Sequence, residues 1–190
     1  MSDYNDDIKK CVEVLQNGGL ILYPTDTIWG IGCDATNEAA ISKIYALKRR
    51  ADEKSLIVLV ADKKDILTHV ANPDINVFDH LKTVNKPTTV IYDGAIGLAN
   101  NLIAKDGSVA IRLTADPFCK QLIKQFRKPI VSTSANISGY PSPLVFKDID
   151  AQIKNGVDYI VQHRQNDEMP ATASAIIKWL PNSTYIVIRS

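Results

Sequence analysis

Cysteine and long apolar runs are both scarce in this sequence. Its 190 residues include three cysteines, Cys11, Cys33 and Cys119, which are widely spaced and form no C-x-x-C pair. This spacing indicates neither a disulfide framework nor a zinc knuckle, and it fits a reducing compartment. The apolar runs stay far below the roughly 18 residues that span a bilayer, and the acidic N-terminus lacks a signal-peptide core. We therefore expect a cytoplasmic protein with no membrane segment.

Net charge and aromatic side chains are scarce as well. Lys and Arg number 22 against 21 Asp and Glu, which gives a net charge of +1, and aromatic residues make up 7% of the chain. Such a balance provides no general electrostatic attraction to a nucleic acid or an anionic membrane, so any such contact would be local. The apolar content is 45%, which at this length can form one sizeable core. We expect a single domain over residues 1–190.

Several widespread catalytic motifs are missing. There is no GxxxxGK[ST] phosphate loop, and Gly30-Ile31-Gly32 lacks the third glycine of a dinucleotide fingerprint. The histidines stand apart without an H-E-x-x-H pair, and no G-x-S-x-G elbow is present. These absences argue against the corresponding NTPase, dehydrogenase, metallohydrolase and serine hydrolase classes.

Apolar periodicity predicts helices and strands in irregular alternation. Helical spacing covers 6–17, 37–50, 63–70, 74–84, 116–127 and 147–155. Short apolar runs indicate strands at 20–23, 28–33, 55–60, 88–92, 108–113, 129–133, 157–162, 174–179 and 184–189. Strands outnumber helices in this order, which favours a single α/β (α+β-like) domain with a mixed sheet flanked by helices.

Three polar segments directly follow apolar elements, at 24–27, 48–50 and 132–136. The last offers hydroxyls, an amide and backbone N–H groups to an anion, although the same residues could cap a helix or close a turn. At a fraying helix end, two of the cations in 48–50 could converge on a phosphate. They could equally form a solvated helix terminus.

Six stretches together carry a family resemblance. They are Leu22-Tyr23-Pro24-Thr25-Asp26-Thr27, Gly30-Ile31-Gly32-Cys33, Leu47-Lys48-x-Arg50, Lys86-Pro87-x-Thr89, Val109-Ala110-x-Arg112 and Ser132-Thr133-Ser134-Ala135-Asn136-x-Ser138-Gly139. In order and spacing they closely resemble the YrdC/TsaC family of threonylcarbamoyl-AMP synthases, with its K-x-R and S-x-N hallmarks intact. The resemblance implies a YrdC-like twisted α/β fold around a concave basic cavity. It also implies the short form, without an extra C-terminal domain.

The activity implied by the resemblance is synthesis of threonylcarbamoyl-AMP and pyrophosphate from L-threonine, bicarbonate and ATP, for t6A modification of tRNA at position 37. Mg²⁺ is expected with ATP, held by phosphate oxygens and water, so no dedicated protein metal site is needed. The implied partner is the t6A transferase complex, and contact with tRNA or dsRNA is possible but not required. Two alternatives are an inactive YrdC-like paralogue and a module that binds structured RNA.

The resemblance also assigns site residues by position. The catalytic residues are Lys48, Arg50, Ser134 and Asn136. Threonine or bicarbonate is assigned to Thr27, Arg112 and Ser174, and the nucleotide to Ser108, Ser132, Ala135 and Arg189. Arg112 could clamp a carboxylate through two parallel hydrogen bonds, or it could form a buried structural salt bridge. For the hydroxyl groups, an ordinary hydrogen bond to the backbone is the alternative, and for Arg189 it is a solvated surface position.

Some positions depart from the family pattern, and one loop has a distinct composition. The departures are at Ser55, Leu59, Lys86 and Ala175, and they leave the geometry of the threonine and triphosphate pockets open. The segment 138–143 is rich in Gly and Pro and could form a cover over the cavity.

Overall fold

A computed structural model describes residues 4–49 and 56–190, and its centre is one nine-stranded mixed sheet. The strands are β1 (Ile21–Tyr23), β2 (Gly30–Gly32), β3 (Ile57–Val60), β4 (Thr88–Tyr92), β5 (Val109–Leu113), β6 (Ile130–Ser134), β7 (Tyr159–Ile160), β8 (Ala175–Trp179) and β9 (Tyr185–Arg189). Their order in the sheet is β7-β1-β2-β6-β3-β5-β4-β8-β9. The pairs β1–β7, β3–β5 and β4–β8 are parallel and the other pairs antiparallel, which confirms the predicted mixed sheet.

Six α-helices accompany the sheet in the described part of the chain. They are α1 (Asn5–Gln16), α2 (Glu38–Lys48), α3 (Lys63–His69), α4 (Asn76–Thr83), α5 (Pro117–Phe126) and α6 (Ala151–Asn155). Local side chains fix where they begin: Asn37 accepts a hydrogen bond from the backbone of Ala40 at the start of α2, and Asp116 does the same from Cys119 at the start of α5. None of the helices in residues 4–49 and 56–190 is both long and apolar enough to cross a membrane.

The predicted helix over 147–155 is wrong in one respect. The structure has a 3-10 turn at Phe146–Asp148 and then the short helix α6. Asp150 separates them because its backbone is extended and its side chain accepts a hydrogen bond from Gln152 N at 2.6 Å. Asp150 therefore caps a new helix and interrupts the predicted one.

Packing around β1 and β2 explains the glycines of Gly30-Ile31-Gly32. Both strands are buried throughout. A Cβ atom at Gly32 would lie 2.6 Å from Cε1 of Tyr23 and 2.8 Å from the carbonyl oxygen of Val131. The glycine permits this close approach of ring and backbone, so it serves packing within the sheet.

The sheet ends at β9, which among the described strands pairs only with β8. All five residues of β9 are exposed, including the apolar Tyr185, Ile186, Val187 and Ile188. The last residue of the strand, Arg189, nevertheless turns its guanidinium back towards the sheet, where it donates to the carbonyl oxygen of Ser174. The edge strand thus supplies a cation to the site described below.

Candidate active site

A cavity of about 190 Å³ is lined by residues of β2, β3, β5, β6, β8 and β9 and by the loops between strands. The structure brings together six of the predicted site residues in its wall: Thr27, Arg112, Ser132, Ser134, Ser174 and Arg189. Ser142 of the segment 138–143 also lines it, so this segment adjoins the cavity as a cover would. Leu59, Lys86 and Ala175 do not line it, and Ser55 lies outside the described residues.

Two arginines give the cavity its charge. Arg112 is only 3% exposed, and Arg189 donates from Nε and Nη2 to the carbonyl oxygen of Ser174 at 3.0 and 2.8 Å. Burial, and secondarily the nearby charge of Arg112, lower the pKa of Arg189. Two cations that face one small cavity favour binding of an anion there, because a bound negative charge relieves their repulsion.

Arg112 has a carboxylate partner that sequence reasoning did not assign to the site. Asp26 Oδ1 lies 3.2 Å from Arg112 Nη2 in an ion pair without hydrogen-bond geometry, and neither this oxygen nor the Nε and Nη2 groups of Arg112 make a hydrogen bond within residues 4–49 and 56–190. Asp26 Oδ2 accepts from Thr114 Oγ1 at 3.2 Å and from Ala115 N at 3.0 Å. Asp26 thus ties the loop after β1 to the end of β5. Its place in the Pro24-Thr25-Asp26-Thr27 motif was the signal that could have identified it.

The same loop places Thr27 in the cavity through a short local network. The N–H of Thr27 donates to Thr25 Oγ1 at 3.0 Å, and the two threonine hydroxyl oxygens are 2.9 Å apart. Thr25 Oγ1 also donates to the carbonyl oxygen of Ile28 at 2.9 Å. These bonds close a tight turn, which holds the Thr27 side chain at the cavity wall.

Lys48 lies beneath the S-x-N turn. It is 1% exposed, and its Nζ donates to the carbonyl oxygens of Ser134 and of Asn136, the latter at 2.6 Å. The Ser138 N–H donates to the Lys48 carbonyl oxygen at 2.9 Å, so backbone bonds reinforce the contact. The structure therefore unites Lys48, Ser134 and Asn136, with the ammonium group fixing the turn instead of lining the 190 Å³ cavity. The fourth predicted catalytic residue, Arg50, lies outside the described residues.

The S-x-N turn stands between two cavities. Ser134 lines the smaller one, whereas Ala135 and Asn136 line a second cavity of about 530 Å³. Asn136 Nδ2 donates to the carbonyl oxygen of Tyr140 at 2.6 Å, which links the turn to the 138–143 segment. The predicted nucleotide residue Ala135 is held here by a bond from its N–H to the carbonyl oxygen of Trp29, at 3.1 Å.

Besides Lys48, Ser108 is the one described site residue that lines neither cavity. It directly precedes β5, four positions before Arg112, which is about 13 Å along an extended strand. Its hydroxyl donates to Asp106 Oδ1 at 2.6 Å, and this bond lowers the pKa of Asp106. Its assignment to the nucleotide stays a prediction.

Comparison with known proteins identifies the family to which this chain is similar. The Sua5/YciO/YrdC family model, described as "Telomere recombination", matches residues 13–190. Threonylcarbamoyl-AMP synthase of Photobacterium profundum is 31% identical over 160 residues, which are 83% of this chain and 86% of the relative. The Vibrio parahaemolyticus protein of the same name is 32% identical over 152 residues, 78% of this chain and 82% of the relative.

A solved structure agrees with the fold. The crystal structure of P. abyssi Sua5 complexed with L-threonine superposes with a TM-score of 0.83 at 23% identity, and it covers 96% of this chain and 53% of the Sua5 chain. At that identity the likeness concerns the fold. Because the family model matches nearly the whole sequence, the chain belongs to the Sua5/YciO/YrdC family.

Proposed function

We propose that this protein is an L-threonylcarbamoyladenylate synthase, a nucleotidyltransferase that uses L-threonine, bicarbonate and ATP and serves tRNA t6A37 modification. The relatives named threonylcarbamoyl-AMP synthase support the activity, at 31% and 32% identity over most of their length. The observation that carries the proposal is the pair of arginines, Arg112 and Arg189, at one small cavity beside the S-x-N turn. The proposed place of action is the cytoplasm, with the t6A transferase complex as the partner.

The proposed reaction brings two anions, a carbamate and ATP, into contact. The amino group of threonine bonds to the carbon of bicarbonate, with loss of water, and gives a carbamate. A carbamate oxygen then bonds to the α-phosphorus of ATP, and the bond to pyrophosphate breaks. No protein nucleophile is required. Fixed cations and hydrogen-bond donors lower the barrier because they stabilise charge that would otherwise repel.

In this proposal the smaller cavity holds the amino acid. Arg112 binds the carboxylate, and the hydroxyl groups of Thr27 and Ser174 complete the contacts. Arg189 and Ser132 line the same cavity and would meet the adenylate end of the intermediate. A bound carboxylate would also give the buried Arg112 the anionic hydrogen-bond partner that it lacks.

The turn between the cavities positions the reacting groups. Ser134, at the wall of the smaller cavity, offers its hydroxyl group to the carbamate and phosphates. Asn136 and Lys48 hold the turn in place: Asn136 Nδ2 donates to the carbonyl oxygens of Ile137 and Tyr140, and Lys48 holds the carbonyl groups of the turn from below. The second cavity, with Ala135 in its wall, provides further room for ATP. Mg²⁺ would arrive with ATP, held mainly by phosphate oxygens and water. The 138–143 segment would keep bulk water from the labile carbamate.

Pyrophosphate release tests the proposal. Purified protein should release pyrophosphate only when ATP, L-threonine and bicarbonate are all present, and serine should replace threonine poorly. R112K, which keeps the charge but loses the planar fork, should raise the KM for threonine at least about tenfold. R127K is the matched control, because Arg127 is exposed and lines neither cavity. Folded protein that releases no pyrophosphate under any of these conditions would reject the synthase proposal and favour the inactive paralogue.

A further inference from the structure

Thr89, in the motif Lys86-Pro87-x-Thr89, has no role in the proposed function. Thr89 lies in β4, is fully buried, and lines neither cavity. Among the described residues its side chain makes one hydrogen bond, a contact of 2.9 Å between Thr89 Oγ1 and Ser174 Oγ. Ser174 is 1% exposed and lines the smaller cavity. Because β4 pairs with β8, which begins directly after Ser174, the buried hydroxyl group of Thr89 meets one at the cavity wall.

Hydrogen-bond accounting decides which hydroxyl donates. If Ser174 donated to Thr89, the proton of Thr89 would be buried without an acceptor, since Thr89 Oγ1 has this one partner. A buried donor without a partner is costly, so Thr89 donates to Ser174. Arg189 Nη2 also approaches Ser174 Oγ, at 3.4 Å, and can only donate.

Both acceptor positions of the Ser174 hydroxyl are therefore occupied by donors. A hydroxyl group has two lone pairs and one proton, so the proton of Ser174 is what remains for a ligand. We infer that Thr89 is a positioning residue that makes Ser174 a hydrogen-bond donor to an oxygen of the bound substrate. The inference rests on the proposed function, in which the threonine carboxylate is such an acceptor.

Substitution of Thr89 by valine tests this role with little change of shape. T89V removes the donor, so the Ser174 proton can turn away from the ligand. The expected result is an increase in the KM for L-threonine of about three- to tenfold, the range for one neutral hydrogen bond, with kcat nearly constant. T89S keeps the hydroxyl group and should restore most of the affinity.

The neighbouring Thr88 offers a matched control. It is buried on the opposite face of the same strand, and its hydroxyl donates to the carbonyl oxygen of Lys86 at 2.9 Å. T88V therefore makes the same substitution one residue away, without contact with the cavity, and should leave the KM for threonine unchanged.

A double-mutant cycle separates positioning from general destabilisation. Because Thr89 acts through Ser174, T89V combined with S174A should bind threonine no more weakly than S174A alone. Equal KM values for T89V and wild type, or additive losses in the double variant, would overturn the inference. Wild-type protein without pyrophosphate release would instead overturn the proposed function, so the two failures are distinguishable. Direct titration of L-threonine by calorimetry gives the same comparison without turnover.

Discussion

Asparagine in place of Asp26 should destabilise the fold strongly. In the native protein the side chain of Arg112 is 3% exposed and that of Asp26 is 11% exposed, with 3.2 Å between Nη2 and Oδ1. Neither group can be hydrated well once its partner is lost. In D26N the neutral side chain leaves the guanidinium of Arg112 without a counter-charge. The NH2 group of the new amide can also point towards that guanidinium, where two donors would face each other. Breaking such a buried pair costs about 3–5 kcal/mol.

The buried Asp34 provides a comparison for this loss of stability. Asp34 is 5% exposed and pairs with Lys128 Nζ at 2.7 Å, but Lys128 is 49% exposed. In D34N the ammonium group can be hydrated by water, so we expect a loss of only about 1 kcal/mol. D26N and D34N both replace an aspartate by asparagine, and they differ in how deeply the paired cation, Arg112 or Lys128, is buried.

Urea unfolding of the two variants, followed by far-UV circular dichroism, measures both losses by linear extrapolation. The slopes should match that of the wild type, so that midpoint shifts report stability. If D26N proved no less stable than D34N, Asp26 would not be the counter-charge of Arg112. Added L-threonine should stabilise the wild-type protein in the same assay.

Three further changes have clear expected outcomes. K48M removes a buried cation from two carbonyl oxygens, so it should lower the free energy of unfolding by about 2–4 kcal/mol and reduce kcat at least about 100-fold in the pyrophosphate assay. G32A places a methyl group against the ring of Tyr23 and should cost about 1–3 kcal/mol in urea unfolding, whereas an alanine at Gly107, whose added Cβ meets nothing within 4 Å, should cost less and only through its positive φ. Hydrogen bonds from Ser183, Trp179 and the backbone N–H of Asn76 lower the pKa of Asp74. These bonds stabilise the folded protein at neutral pH, where Asp74 is ionised. Their contribution is lost as the pH falls below 3.8, the ordinary pKa of an aspartate, and through the lowered pKa of Asp74 in the folded protein. D74N should therefore make Tm depend less steeply on pH in the acid range.

Local structure was largely readable from the sequence. The predicted helix at 37–50 is observed as Glu38–Lys48, because Asn37 caps its start and Arg49 ends it in a left-handed conformation with φ of 50°. The predicted strand at 88–92 is observed as Thr88–Tyr92. These features depend on neighbours within a few residues, and apolar periodicity and capping residues record them directly.

The arrangement of the site was predictable only in part. The family resemblance named six residues that line one cavity, yet it did not separate Ser134 from Asn136, which face different cavities. Charge alone left Lys48 as either a phosphate ligand or a solvated helix end, whereas it is buried against carbonyl groups 86 and 88 residues away in sequence. Such pairings depend on how distant strands meet, and periodicity carries no information about that.

The exposed edge strand has a consequence for how the cavity can open. Among the described strands β9 is bonded to β8 alone, and all five of its residues are exposed, so its amide protons should exchange with solvent before those of β3, β5 and β6. When β9 frays, Arg189 leaves the cavity while Arg112 stays anchored in β5 beside Asp26. The first step of local unfolding therefore removes one of the two cations and one wall together. A ligand that bridges the two arginines would fasten this edge, and slower exchange along β9 would reveal its binding.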